Sequence, residues 1–259
     1  MSPSSRPLSG KIAVITGASS GIGAATARTL AALGASLRLG ARRLERVEAL
    51  ASELGGGASA HALDVTVPES CRAFTEWATG DAAGVDILVN NAGLARGLAP
   101  VVDSDERDWR EMLESNLMGL MRVTRLFLPS FIARDAGDIV HVGSVAGLQP
   151  YAKGAAYCAS KAAVESFAQA LRLELFGTRI RQLVIEPGLV ETEFSVVRFH
   201  GDAERAGAVY SGVDPLTAAD VADCIGFAVT RPPHVSLHNM LVMATAQATA
   251  TLVHRKSGL

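Results

Sequence analysis

An apolar run at residues 11–16 leads directly into Thr16-Gly17-Ala18-Ser19-Ser20-Gly21-Ile22-Gly23, and an alanine-rich stretch with leucine at helical spacing follows from 24 to 33. A buried strand, a glycine turn and a helix, in that order, restrict the chain to α/β folds. The alternation continues to the end. Segments 37–39, 61–64, 85–90, 139–142, 182–185 and 240–243 predict strands, and 44–54, 68–77, 105–134, 156–176 and 217–230 predict helices. Gly34 suits a helix stop, Pro68 a first helical turn and Asp105 a cap, and Pro129 predicts a bend in the long 105–134 helix. Strands that are apolar nearly throughout fit a parallel sheet covered on both faces and joined by right-handed crossovers. Without linkers or repeats, residues 1–259 read as one domain of doubly wound α/β type. Segment 194–216 is long, mixed in polarity and placed after a strand's carboxyl end, where open α/β sheets bind ligands, so it predicts a substrate lid.

The charge balance excludes several partners. With 24 Lys and Arg against 26 Asp and Glu, net charge is −2, which gives no basic field for nucleic acid or for an acidic membrane. No apolar run reaches the roughly 18 residues of a membrane span. The first ten residues are polar and carry proline, unlike a secretory signal. Cys71, Cys158 and Cys224 are odd in number, fit neither zinc nor a redox pair and read as small buried hydrophobes; a cytoplasmic protein without a metal is expected.

The glycine turn suits an anion. Its position lets backbone N–H groups approach a pyrophosphate, whose charge the helix N-terminus also favours. The spacing G-x-x-x-G-x-G differs from the commoner G-x-G-x-x-G. Where an acid at the end of the second strand would hydrogen-bond the ribose hydroxyls of NAD, the chain has Gly40-Ala41-Arg42-Arg43. Ala41 leaves room for a 2′-phosphate and the arginine fork matches it, so NADP(H) is the expected cofactor.

Tyr157-Cys158-Ala159-Ser160-Lys161 sets a phenol and an amine four residues apart on one helix face. An ammonium beside a phenol is expected to lower its pKa from near 10. Ser144, at a strand's carboxyl end thirteen residues before Tyr157, is placed to hold a substrate oxygen. Tyr157, Lys161 and Ser144 behind a nucleotide turn predict a carbonyl–alcohol oxidoreductase.

These motifs together make the chain similar to the short-chain dehydrogenase/reductase family, over essentially its whole length. The resemblance implies a Rossmann fold with a seven-stranded parallel sheet and a homotetramer or dimer. It assigns the cofactor loop to Gly17, Ser19, Ser20, Gly21, Ile22 and Gly23, the 2′-phosphate to Arg42 and Arg43, and adenine to Asp64 and Val65. It sets Asn91, Ala92 and Gly93, after Asn90, beside the cofactor, and Pro187, Gly188, Val190 and Thr192 at the nicotinamide carboxamide. Ser144, Tyr157 and Lys161 match the catalytic triad, Tyr157 and Lys161 also touching cofactor, and Asn116 matches a fourth residue that orders a water in the proton relay. A narrower resemblance, carried by Thr192-Glu193-Phe194-Ser195-Val196-Val197-Arg198-Phe199, Gly201-Asp202 and Thr230-Arg231-Pro232-Pro233-His234-Val235, is to NADP-dependent 3-hydroxy acid dehydrogenases.

The substrate expectation follows: a small hydroxy acid, semialdehyde or related alcohol, its anion held by Arg198, with Arg96 and Lys153 as alternative anchors. A bulkier neutral ketone or aldehyde is the other enzyme reading, and a non-catalytic NADP(H) sensor a third, against which the intact triad counts.

Overall fold

The computed structural model describes residues 6–80 and 84–256, and the polar residues 1–5 lie outside them. Seven parallel strands lie in the order β3-β2-β1-β4-β5-β6-β7. They are β1 Ile12–Thr16, β2 Ser36–Ala41, β3 Ala58–Ala62, β4 Ile87–Asn90, β5 Gly137–Val142, β6 Ile180–Pro187 and β7 Asn239–Val242. The order reverses between β1 and β4, so the chain leaves these neighbours in opposite directions and opens a crevice at their carboxyl ends. The third strand stops at Ala62, short of the expected Asp64; there Leu63 N–H donates to the Ala41 carbonyl at 3.0 Å and the chain turns away.

Helices α1 Gly21–Ala32, α2 Leu44–Leu54 and α3 Pro68–Thr79 follow the first three strands. The segment expected as one helix bent at Pro129 divides elsewhere. α4 Glu106–Leu113 and α5 Leu120–Arg134 are joined by a π-turn at Glu114–Gly119, and α5 runs through Pro129. Asp105 caps α4, accepting from Arg107 N–H at 2.8 Å. The wide turn carries Ser115 and Asn116 inward, both buried, and such turns gather at functional sites. α6 Val145–Leu148 and α7 Ala155–Glu174 follow β5, α8 Phe194–Arg198 and α9 Ala203–Ala208 lie within 194–216, and α10 Ala218–Val229 precedes β7.

Both sheet faces are packed. Leu30, Leu39, Val47 and Ile225 fill one side; Phe74, Phe127, Phe131 and Leu171 fill the other. The three cysteines are free; Cys71 and Cys158 are buried and Cys224 is half-buried. Among the described residues no helix is long and apolar enough to cross a membrane.

Two carboxyls lie in the packing of α7 on β6. Glu165 and Glu186 are 8% and 2% exposed, and Oε2 of Glu165 is buried without a partner. Burial first, then the Glu165 charge, push Glu186 from 4.5 up to about 7. Between those values the folded chain binds more protons than the unfolded one, so stability falls as pH rises through that window. Melting temperature should therefore drop between about pH 4.5 and 7 and Glu186→Gln should flatten the drop; an unchanged slope in the variant would remove the assignment.

Candidate active site

The crevice is a cavity of about 740 Å³ that collects most of the residues singled out from sequence. Its floor is the glycine turn. Gly17 has φ +67°, and a Cβ there would lie 2.8 Å from Ala92 Cα. Thr16 Oγ1 accepts from both Asn91 N–H and Ala92 N–H at 3.0 Å, and Asn91 Nδ2 donates to the Thr16 and Gly17 carbonyls at 3.0 and 3.1 Å. The Asn90-Asn91-Ala92-Gly93 turn thus braces the first loop, and Thr16, not singled out as a site residue from sequence, centres that brace.

Ser20 at the α1 N-cap makes no side-chain cap, which leaves first-turn N–H groups for an anion. Ser19, Ser20, Gly21 and Ile22 line the cavity; Gly23 does not. A Cβ at Gly23 would lie 2.5 Å from Asn91 Nδ2 and from the Gly17 carbonyl oxygen, so that glycine serves close packing behind the turn and is corrected from ligand contact to support. At the end of β2, Ala41 is buried, Arg42 is exposed and Arg43 is half-buried, all three on the cavity wall. Asp64 and Val65 form the next part of that wall, with Asp64 Oδ1 fixed by Thr66 N–H at 3.0 Å and Thr66 Oγ1–H at 2.7 Å. A glycine cradle, an uncapped helix start and two arginines in place of an acid fit NADP(H).

The far wall carries the reactive groups. Ser144 caps α6, its Oγ accepting from Ala146 N–H at 3.1 Å, and it lines the cavity together with Tyr157. Burial pushes the Tyr157 phenol up to about 12, against the downward pull of the neighbouring Ser144 hydroxyl and the Arg198 charge. Burial also lowers the Lys161 amine to about 8. The expectation that Lys161 depresses the phenol is corrected here. Its Nζ donates to the Val142 carbonyl at 2.8 Å, and the cation bearing on Tyr157 is Arg198, whose guanidinium carbon lies 4.9 Å from the ring centroid.

Asn116 is buried beside the cavity and does not line it. Its Oδ1 accepts from Leu94 N–H at 2.8 Å, and its Nδ2 donates to the Leu94 carbonyl at 2.8 Å and to Ser160 Oγ at 3.0 Å. These bonds occupy its side-chain amide and tie the π-turn to α7.

The three cations named for a substrate anion separate clearly. Arg198 lines the cavity, half-buried between Tyr151, Tyr157 and Phe194. Its Nη2 donates to Tyr151 Oη at 2.7 Å, its Nε is buried without a partner, and no carboxylate among the described residues pairs with it. Arg96 is already engaged: Nε and Nη2 grip Glu111 at 2.8 and 2.9 Å, and Nη1 donates to the Val197 carbonyl at 2.6 Å. Lys153 is exposed at φ +69°, off the cavity wall. Both are corrected as anchors. Tyr151 and Phe194 complete the pocket around Arg198; Tyr151 carries no motif, and Phe194 lies in the 192–199 motif, which assigns it no role.

Pro187, at the end of β6, and Gly188, Val190 and Thr192 after it line the cavity. The chain after them leaves and returns at one point, since Val190 bridges Leu216 and Leu216 N–H donates to the Leu189 carbonyl at 2.9 Å. Between those ends α8, Phe199, Val209 and Tyr210 line the cavity. Gln247, another unforeseen lining residue, holds Leu189 N–H at 2.8 Å through its Oε1.

Known proteins agree with this layout. The profile of the family described as "short chain dehydrogenase" matches residues 11–202. An NADP-dependent 3-hydroxy acid dehydrogenase of Schizosaccharomyces pombe is 44% identical, the match covering 96% of this chain and 98% of the relative. A sulfoacetaldehyde reductase of Chromohalobacter salexigens is 44% identical over 90% of this chain and 94% of that protein. A solved structure described as the closed form of serine dehydrogenase complexed with NADP+ superposes with a TM-score of 0.90 at 39% identity, covering 95% of this chain and 100% of that one. The chain belongs to the short-chain dehydrogenase family.

Proposed function

We propose that the protein is an NADP(H)-dependent oxidoreductase that interconverts a small hydroxy acid, or a related alcohol, with its carbonyl partner, and that Arg198 receives the substrate's anion. Arg198 carries the reading: a cation without a carboxylate partner sits 4.9 Å from the Tyr157 ring, and a guanidinium in a closed pocket pairs well with a carboxylate or sulfonate. The substrates named for the relatives, a 3-hydroxy acid, serine and sulfoacetaldehyde, all bear such a group.

The cofactor, when bound, supplies or accepts the hydride. Gly17, Ser19, Ser20, Gly21 and Ile22 hold its pyrophosphate side, Arg42 and Arg43 the 2′-phosphate, and Asp64 and Val65 the adenine. Asn91, Ala92 and Gly93 border its middle, and Pro187, Gly188, Val190 and Thr192 the carboxamide end. Ser144 holds the substrate's carbonyl oxygen beside Tyr157 Oη. With its pKa about 12, the phenol is protonated at neutral pH and acts as proton donor in reduction; in the reverse direction its phenolate form accepts the proton. Lys161 adds positive charge near the proton path and a contact for the nicotinamide ribose. Segment 194–216 is the lid that excludes water over this site.

We read the protein further as a cytoplasmic homotetramer. Its cysteines are free, and apolar side chains stand exposed on α4, the π-turn and the end of α7: Leu113 at 40%, Met118 at 44% and Leu173 at 78%.

The test is a panel. NADPH should be consumed with small aldehydes and ketones bearing carboxylate or sulfonate, faster than with bulky neutral ketones, and NADH should serve poorly. A preference for bulky neutral substrates would overturn the hydroxy acid reading, and equal use of both cofactors the NADP(H) assignment.

A further inference from the structure

The proposed reaction leaves Glu193 without a task, although it stands between the lid and the cofactor corner. It immediately precedes α8 as its N-cap residue. Its Oε2 pairs with Arg43 Nη1 and its Oε1 with Arg46 Nη1, each at 2.8 Å. Bonds from Arg46 and Arg43 hold its carboxyl down at about 2, so it is charged across the working pH range. Arg43 meanwhile turns its other edge to the glycine turn: Nε lies 3.2 Å from Ser19 Oγ, and Nη2 lies 3.0 Å from Ser19 Oγ and 2.8 Å from Ser20 Oγ.

One guanidinium therefore faces two ways. Its Nε–Nη2 edge points at the hydroxyls where the 2′-phosphate is assigned, and its Nη1 points at the residue that opens the lid helix. A dianionic phosphate would take the first edge, forming charged hydrogen bonds where neutral hydroxyls now accept, and such bonds are shorter and stronger. The second edge would remain with Glu193. Phosphate and lid thus use the same side chain without competing, and fixing it for one favours the other. Reciprocity then requires that a closed lid also tighten the phosphate-bearing cofactor.

We propose that Glu193 is a specificity-determining residue that couples recognition of the cofactor's 2′-phosphate to closure of the lid, through Arg43 and with Arg46 as its second clamp. The proposal rests on the NADP(H) reading above. These ion pairs are partly exposed, with side-chain accessibilities of 40–46%, so the coupling is modest, about three- to fivefold.

Hydrogen exchange of a peptide spanning 190–200, in the full-length protein saturated with NADP+ or with NAD+, reads the coupling directly, and calorimetry reads each cofactor's affinity separately. In the parent protein NADP+ should slow exchange about three- to fivefold more than NAD+ does. In Glu193→Gln that extra protection should vanish while NADP+ still binds more tightly than NAD+ through Arg42 and Arg43. Arg46→Gln, which leaves the phosphate edge untouched, should reduce the protection part of the way. Extra protection that survives Glu193→Gln, or none in the parent despite tight NADP+ binding, would overturn the coupling. A parent with equal affinity for the two cofactors would instead refute the cofactor reading beneath it.

Discussion

Tyr157→Phe lowers kcat by about 10²–10⁴-fold, the contribution expected of a positioned general acid, and leaves NADPH affinity within about twofold of the parent. The substitution removes one oxygen and keeps the ring. Phe194, 5.6 Å away centroid to centroid, and the Arg198 guanidinium at 4.9 Å retain their packing partner, so loss of turnover reports the proton and not the fold. The direction follows from the protonation state. A phenol at about 12 holds its proton at pH 7 and meets the substrate oxygen held by Ser144, which lines the same cavity. Single-turnover reduction, followed by loss of NADPH absorbance, separates this step from product release. A variant within a few-fold of parental kcat would remove Tyr157 from the chemistry.

The sheet was legible because its strands are apolar on both faces and its glycine turn and helix stops sit at fixed offsets. α2 Leu44–Leu54 was bounded to the residue, since Gly55 ends an unbroken periodic run. The division of 105–134 was not legible: a π-turn changes hydrogen-bond register without changing the apolar pattern, so Glu114–Gly119 reads as ordinary helix and Pro129 draws the attention instead. Within the site, most residues singled out on strand ends and helix starts come together in one cavity because motif and geometry coincide there. Sequence position alone left two alternative anchors beside Arg198. Arg198 stands ahead of Arg96 and Lys153 only through its lid motif, and the alternatives fall away once packing shows that Glu111 takes the first, solvent the second and three aromatic rings surround Arg198. The pKa logic of Tyr157 and Lys161 failed for a related reason. Helical spacing puts both on one face, but burial acts on each separately, and its cost outweighs an amine turned towards the Val142 carbonyl.

Arg198→Ala should raise KM for a hydroxy acid or an acid-bearing aldehyde by about 10- to 100-fold, because a charge-assisted hydrogen bond is worth about 1.5–3 kcal/mol. KM for an uncharged alcohol of equal size should move by about threefold or less. The contrast matters because Arg198 also packs against Tyr151 and Phe194, so its loss could loosen the lid for every substrate alike. Arg198→Met isolates the charge, since it keeps an apolar stem between the rings and removes only the fork. The lid's own backbone tie, Gly97 N–H to the Arg198 carbonyl at 2.9 Å, persists in both variants. Both should show the same selective loss for anionic substrates. The second effect is on rate. The Arg198 charge pulls the phenol down from where burial would hold it, so without it Tyr157 becomes a weaker acid and kcat for neutral substrates should also fall a few-fold. Equal KM losses for charged and neutral substrates would show that Arg198 shapes the pocket without reading charge, and would leave the bulky neutral carbonyl as the better substrate class.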